Sequence, residues 1–302
     1  MPLGGVPLSP QKSTIGRVIR LAATRTAFGT LERVAPALGV RWATNLWLTV
    51  PRFNGRARPA IPAGTPFIVT VRDRKVRGTV WGSGPAVYLV HGWGGASTQL
   101  LSFVTPLVGA GHKVIAFDAL SHGASDPGEL GPRRTTIPEM ARSFMAVVRA
   151  HGQPHGVVAH SAGASSTFYA LRDGLRPERL VFLSPMAQPT ELTMVFAATL
   201  GFGERVRTGM MRRVGELAGA PWDDFDMPRM VTRIAPPPLL TVHDPADRET
   251  RYADSVALAK VWPAAELVTA RNLGHWRLLR DPATVTRAVD FVTAATPELK
   301  AV

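Results

Sequence analysis

From about Phe67 onward the chain alternates short β-rich runs with segments of helical periodicity, and few architectures satisfy that pattern. The runs are Phe67–Val71, Gly78–Trp81, Ala86–Val90, Lys113–Phe117, Gly156–Ala159, Leu180–Leu183, Leu239–Val242 and Glu266–Val268. Helical patterns fill Thr98–Ala110, Ile137–Ala150, Ala162–Leu175, Ser255–Val261 and Pro282–Ala294. Strands interleaved with helices predict an α/β chain with a mostly parallel sheet of eight strands, covered on both faces. The gap between the runs at Leu180 and Leu239 is about 55 residues, far longer than the usual 2–6-residue α/β connection, so an insertion is expected there.

At 302 residues the chain suits one domain with insertions or two small ones, and 45% hydrophobic against 19% charged residues describes a packed interior. The absence of cysteine excludes disulfides, thiolate zinc sites and a cysteine nucleophile, and leaves the redox compartment open. A net charge of +13, carried mainly by arginine, favours acidic surfaces. No zinc-finger spacing, basic zipper or aromatic-and-basic RNA motif accompanies it, so nucleic acid is not the expected partner. No run of 18 uncharged apolar residues appears, and Arg17, Arg20, Arg25 and Arg33 break up any secretory apolar region, which makes the cytoplasm the default location.

Ahead of the alternating region, a Pro- and Gly-rich dozen residues reads as disordered. From Thr14 to Leu48, Ile15, Val18, Ile19, Ala22, Leu31, Val34 and Leu38 recur at spacings of three and four, predicting one or two amphipathic helices. Such helices either pack on the main domain or, with the arginines on their polar face, make peripheral membrane contact. Pro51–Pro66 reads as a linker. The expected division is therefore 1–66 as a helical extension with linker, and 67–302 as the main domain.

Five segments lie at the ends of predicted strands and are candidates to carry chemistry. Val157-Val158-Ala159-His160-Ser161-Ala162-Gly163 is an apolar run entering a small-X-Ser-X-Gly turn that opens a helix; a serine there is also what a plain N-cap looks like. A serine hydroxyl is a weak nucleophile that needs a base, itself held in one tautomer by a third group. Downstream, His243-Asp244-Pro245-Ala246-Asp247 and then Asn272-Leu273-Gly274-His275-Trp276 supply carboxylates and a histidine in that order. Upstream lie His91-Gly92-Trp93-Gly94-Gly95 and Asp118-Ala119-Leu120-Ser121-His122-Gly123-Ala124-Ser125. His112, His151, His155 and His160 show no metal-ligand spacing.

Together these segments resemble the α/β-hydrolase family over about Phe67–Leu299. The resemblance implies the α/β-hydrolase fold with Ser161 at the nucleophile elbow, although Ala159 stands where the family usually has glycine. It implies His275 as base and Asp247 as the orienting acid, with Asp244 as rival, and the backbone amides of Trp93 and Ala162 as oxyanion hole. His91 and the Asp118–Ser125 turn are expected to support loops. The insertion, about 186–232, would be a small helical lid; its Met194, Val195, Phe196, Leu200 and Phe202 suit an apolar acyl substrate, or form the lid's own core. No cofactor is implied. A serine at the elbow disfavours epoxide and haloalkane chemistry, for which relatives use aspartate. Three functions stand: carboxylic ester hydrolysis through an acyl-enzyme, lipid or thioester hydrolysis near a membrane, and a catalytically silent binding module.

Overall fold

The computed structural model describes residues 11–52 and 60–294, with side chains from residue 18 onward. The Pro- and Gly-rich start and the middle of the 51–66 stretch lie outside the described residues. In chain order the elements are α1 (Gln11–Val34), α2 (Pro36–Trp47), β1 (Thr65–Val71), β2 (Arg74–Trp81), β3 (Ala86–Val90), α3 (Val104–Gly109), β4 (Lys113–Asp118), α4 (Ile137–His151), β5 (Gly156–His160), α5 (Ala162–Arg172) and β6 (Arg179–Leu183). There follow α6 (Pro189–Leu200), α7 (Glu204–Ala218), α8 (Met227–Met230), β7 (Leu239–His243), α9 (Tyr252–Val261), β8 (Ala265–Thr269), α10 (Gly274–Arg277) and α11 (Pro282–Thr293).

The eight strands form one sheet in the order β1-β2-β4-β3-β5-β6-β7-β8, antiparallel at β1/β2 and β2/β4 and parallel elsewhere. This is the eight-stranded, mostly parallel sheet that the alternation predicts. Every residue of β3, β5 and β7 is buried, as strands covered on both faces must be. Along β5, Val157 and Ala159 enter one core with Tyr88, Phe117, Phe144 and Phe168, while Val158 points into the other with Leu89, Phe103, Leu107 and Val289. Pro66 is tolerated in β1 because that strand is an edge.

One predicted helix is divided. Thr98–Ala110 is a 3-10 helix, Ser97–Phe103, followed by the short α3. Pro106 explains the break: it has no N–H to donate and its ring would meet the carbonyl four residues back, so it sits in the first turn of a new helix. β2 starts four residues earlier and α9 three residues earlier than the periodicity indicates.

By internal contacts the chain forms two compact units, Leu48–Pro189 with Gly215–Val302, and Met1–Trp47 with Thr190–Val214. The second unit joins the N-terminal helices to the inserted α6 and α7, segments that the sequence separates by more than 140 residues. Its interior is aromatic. Phe28 is fully buried and stacks on Trp42 at 4.2 Å, with Phe202 at 5.0 Å and a Trp47–Phe196 pair at 5.3 Å. Helix α1 also satisfies the ends of its neighbours. The Glu32 carboxylate accepts the Gly203, Arg205 and Val206 N–H groups at the start of α7, and Arg25 donates to the Ala198 and Thr199 carbonyls at the end of α6.

Candidate active site

The parallel strands end on one edge of the sheet. β4 and β5 lie on opposite sides of β3, so the connections leaving β3 and β5 part there, which is where open α/β sheets bind ligands. β5 delivers Ser161 to that edge with φ 53° and ψ −122°, a backbone conformation that side-chain-bearing residues seldom adopt and that a sharp strand-to-helix turn imposes. The turn needs its small neighbours. A Cβ on Gly163 would lie 2.5 Å from the carbonyl oxygens of Val90 and His91, and one on Gly92 would lie 2.9 Å from Ser161 Cβ. Ala159 is fully buried in the core beneath, so its methyl group fits where glycine was the family expectation.

The carboxylates after β7 divide their work. Asp247 Oδ2 lies 2.7 Å from His275 Nδ1, and its Oδ1 accepts the Glu249 and Thr250 N–H groups at 2.8 and 3.1 Å. Burial alone would raise the Asp247 carboxyl; hydrogen bonds from His243 and His275 outweigh it and hold the group far below the usual carboxylate range. Asp244 instead accepts the N–H groups of Ala246, Leu273 and Gly274, fastening the loop that carries His275. His275 itself stands on the short helix α10 and is buried.

His160, the residue before Ser161, meets His275. His160, fully buried, has its ring 4.6 Å from that of His275, and its Nε2 lies 3.1 Å from the His275 carbonyl, to which it donates. Burial pushes the His160 imidazole well below its ordinary range, which keeps it neutral. The Ser161 hydroxyl makes no hydrogen bond to His275 among the described residues. His275 Nε2 faces the half-exposed Glu249 carboxylate at 3.7 Å, and Glu249 in turn accepts from the Trp276 indole N–H.

Beside Ser161, the backbone N–H groups of Trp93 and Ala162 have no acceptor among the described residues. The Trp93 indole donates to the Thr49 carbonyl at 2.9 Å, fixing that side chain. His91 braces the same loop: its Nε2 accepts the Ala119 N–H at 3.0 Å, which assigns the proton to Nδ1, directed at the Gly92 carbonyl 2.8 Å away. The Asp118 carboxylate accepts the Ser97 and Ala124 N–H groups, and the Ser125 hydroxyl donates to the Asp118 carbonyl. His122, in the same turn, is pushed down to about 3 by burial and lies 4.8 Å from His91.

Sequence reasoning did not single out His243, Thr250, Ser255 or Glu249. His243 is the last residue of a fully buried strand and adjoins the acid turn, and a polar side chain in that setting is the signal that could have found it.

A family model described as "Alpha/beta hydrolase family" matches residues 87–288, about two thirds of the chain. Among solved structures, the chain is similar to a hydrolase from Pseudomonas aeruginosa (20% identity, TM-score 0.59, covering 78% of this chain and 100% of that one). It is also similar to an esterase from Exiguobacterium antarcticum (14%, 0.57, 77% and 100%) and to the epoxide hydrolase CorEH (18%, 0.54, 76% and 98%). At these identities the likeness is one of fold. No curated protein matches the sequence.

Proposed function

Because this chain belongs to the alpha/beta hydrolase family, we propose that it cleaves a carboxylic ester through a covalent acyl-enzyme, with Ser161 as nucleophile, His275 as general base and Asp247 as the acid that orients the histidine. The observation that carries the reading is the 2.7 Å contact between Asp247 Oδ2 and His275 Nδ1 at the sheet edge where Ser161 stands at φ 53°. In this mechanism Ser161 Oγ attacks the ester carbonyl while His275 Nε2 takes its proton. The resulting oxyanion is met by the Trp93 and Ala162 N–H groups, a kind of contact whose loss costs about 100- to 1000-fold in turnover. His275 then protonates the leaving alcohol, and water releases the acid by the same proton transfers in reverse. The missing Ser161–His275 hydrogen bond does not oppose this, since such contacts are often loose before substrate binds.

Elbow serine, rather than aspartate, separates this reading from epoxide opening. The test is labelling by a fluorophosphonate probe together with hydrolysis of p-nitrophenyl esters of graded chain length. Wild type is expected to label and turn over, and Ser161→Ala to lose both by about 10⁴-fold or more. An unlabelled, inactive wild type would replace the reading with a silent hydrolase-fold binding module. A second reading, lipid or thioester hydrolysis at a membrane surface, is favoured by Val18, Ile19 and Val34 on the arginine-rich α1 and Leu38 in the first turn of α2, which stand 59–73% exposed.

A further inference from the structure

Behind Asp247 lies a second imidazole that the proposed chemistry does not use. His243 closes β7 and is fully buried. Its Nε2 lies 3.4 Å from Asp247 Oδ2, the same oxygen that meets His275 Nδ1. On the far side its Nδ1 is 2.7 Å from Ser255 Oγ on α9. Thr250 sits in the angle between the two rings, its hydroxyl 3.2 Å from Asp247 Oδ2, 3.3 Å from His275 Nδ1 and 3.4 Å from His243 Nε2.

The proton on His243 can be placed by elimination. A neutral imidazole has one N–H. Were it on Nδ1, the lone pair of Nε2 would face a carboxylate with only the Thr250 hydroxyl, 3.4 Å away and also directed at the Ser184 carbonyl at 3.2 Å, to donate to it, and lone pair against lone pair is strongly repulsive in a dry interior. Ser255 resolves this, since its buried hydroxyl has no other partner among the described residues and donates to Nδ1, leaving the proton on Nε2 aimed at Asp247. Asp247 thus meets N–H groups at both oxygens: two backbone amides at Oδ1, and at Oδ2 the His275 imidazole at 2.7 Å with His243 Nε2 farther off at 3.4 Å.

We propose that His243, set in its tautomer by Ser255, is a positioning residue that fixes Asp247 Oδ2 against His275 Nδ1. This rests on the Ser161–His275–Asp247 reading. When His275 becomes an imidazolium in the transition state, the carboxylate opposite it must neither rotate nor lose its charge. The terminal torsion of Asp247 is broad; two backbone amides hold Oδ1 and the Thr250 hydroxyl touches Oδ2, and the His243 ring beside Oδ2 adds to them against rotation. The interaction gains value only as the positive charge forms, so its loss should appear in kcat and leave KM nearly unchanged.

The experiment compares full-length His243→Phe, His243→Gln and Ser255→Ala with wild type. The readouts are thermal unfolding, fluorophosphonate labelling rate, kcat and KM on p-nitrophenyl butyrate, and the downfield NMR resonance of the His275 Nδ1 proton. His243→Phe is expected to lower kcat and labelling by about 10- to 100-fold, the size that outer partners of functional histidines carry, with KM within about twofold. His243→Gln should recover most of that loss, because its amide N–H reaches the position of Nε2. Ser255→Ala should lose less than His243→Phe and decides the matter if that variant does not fold. Folded His243→Phe or Ser255→Ala with wild-type kcat and an unmoved Nδ1 resonance would overturn the proposal. An unlabelled wild type would instead overturn the serine-hydrolase reading, and the Nδ1 resonance would still report whether His243 governs Asp247.

Discussion

At the scale of single residues, the charges around Asp247 set a pH dependence that can be measured. Its carboxyl is held below the usual range in the folded chain, so it contributes stability that is complete above about pH 5 and fades on acidification below about pH 4, where the unfolded chain begins to take up the proton. Asp247→Asn removes this contribution. The Tm gap between wild type and Asp247→Asn should therefore be widest near neutrality and narrow as pH falls below about 4. A gap that stays constant with pH would mean that the carboxyl is not held down. Activity of the variant should fall by about 10⁴-fold, since an amide in place of the acid favours the wrong tautomer of His275. The proposed acid was legible in the sequence only as one of two carboxylates. The resemblance favoured Asp247; in the structure Asp244 differs in that its lone pairs are taken by the Ala246, Leu273 and Gly274 amides, a matter of three-dimensional placement.

Elements meet at two places where small changes should be felt. Helix α5 approaches the end of β3 closely enough that a Cβ on Gly163 would overlap two carbonyl oxygens. Gly163→Ala is expected to cost about 1–3 kcal/mol as α5 is pushed outward, and to lower turnover further by tilting the Ala162 N–H. Chemical denaturation and p-nitrophenyl ester assays read the two effects, and a variant of wild-type stability would show that the helix has room to move. In the helical unit, Glu32 caps the start of α7 through three N–H groups. Glu32→Ala should destabilise that unit by about 0.5–2 kcal/mol, the usual cost of a lost N-terminal cap, seen as a lowered Tm. That the N-terminal helices would form was legible from spacings of three and four. That they share one aromatic core with α6 and α7 was not, because periodicity identifies an apolar face without naming what covers it.

On the scale of the whole molecule, a +13 chain presents Val18 and Ile19 to solvent on its first helix, 61% and 62% exposed. No helix among the described residues is long and apolar enough to cross a membrane. The obvious deletion of the N-terminal helices would strip Phe28 and Trp42 from a packed core, whereas Val18→Glu with Ile19→Glu alters only exposed positions. Cosedimentation with anionic vesicles is expected for wild type at low salt and to weaken in the double variant. Equal binding by both would remove the helix from the membrane reading, and salt sensitivity alone would assign the attraction to charge.

The sequence by itself determined the fold class, since only a parallel sheet covered on both faces accommodates its order of apolar runs and helical patterns, and it brought Ser161, the acid turn and His275 into view because each follows a strand on a short, recognisable turn. Tertiary structure alone decided what those residues touch. Asp247 draws on His275 from 28 residues further along the chain as well as on its near neighbours His243 and Thr250, and Ser255 sets the proton of His243 from a helix beyond the acid turn. Contacts of that kind depend on which strand lies beside which, and periodicity, being local, has no term for it.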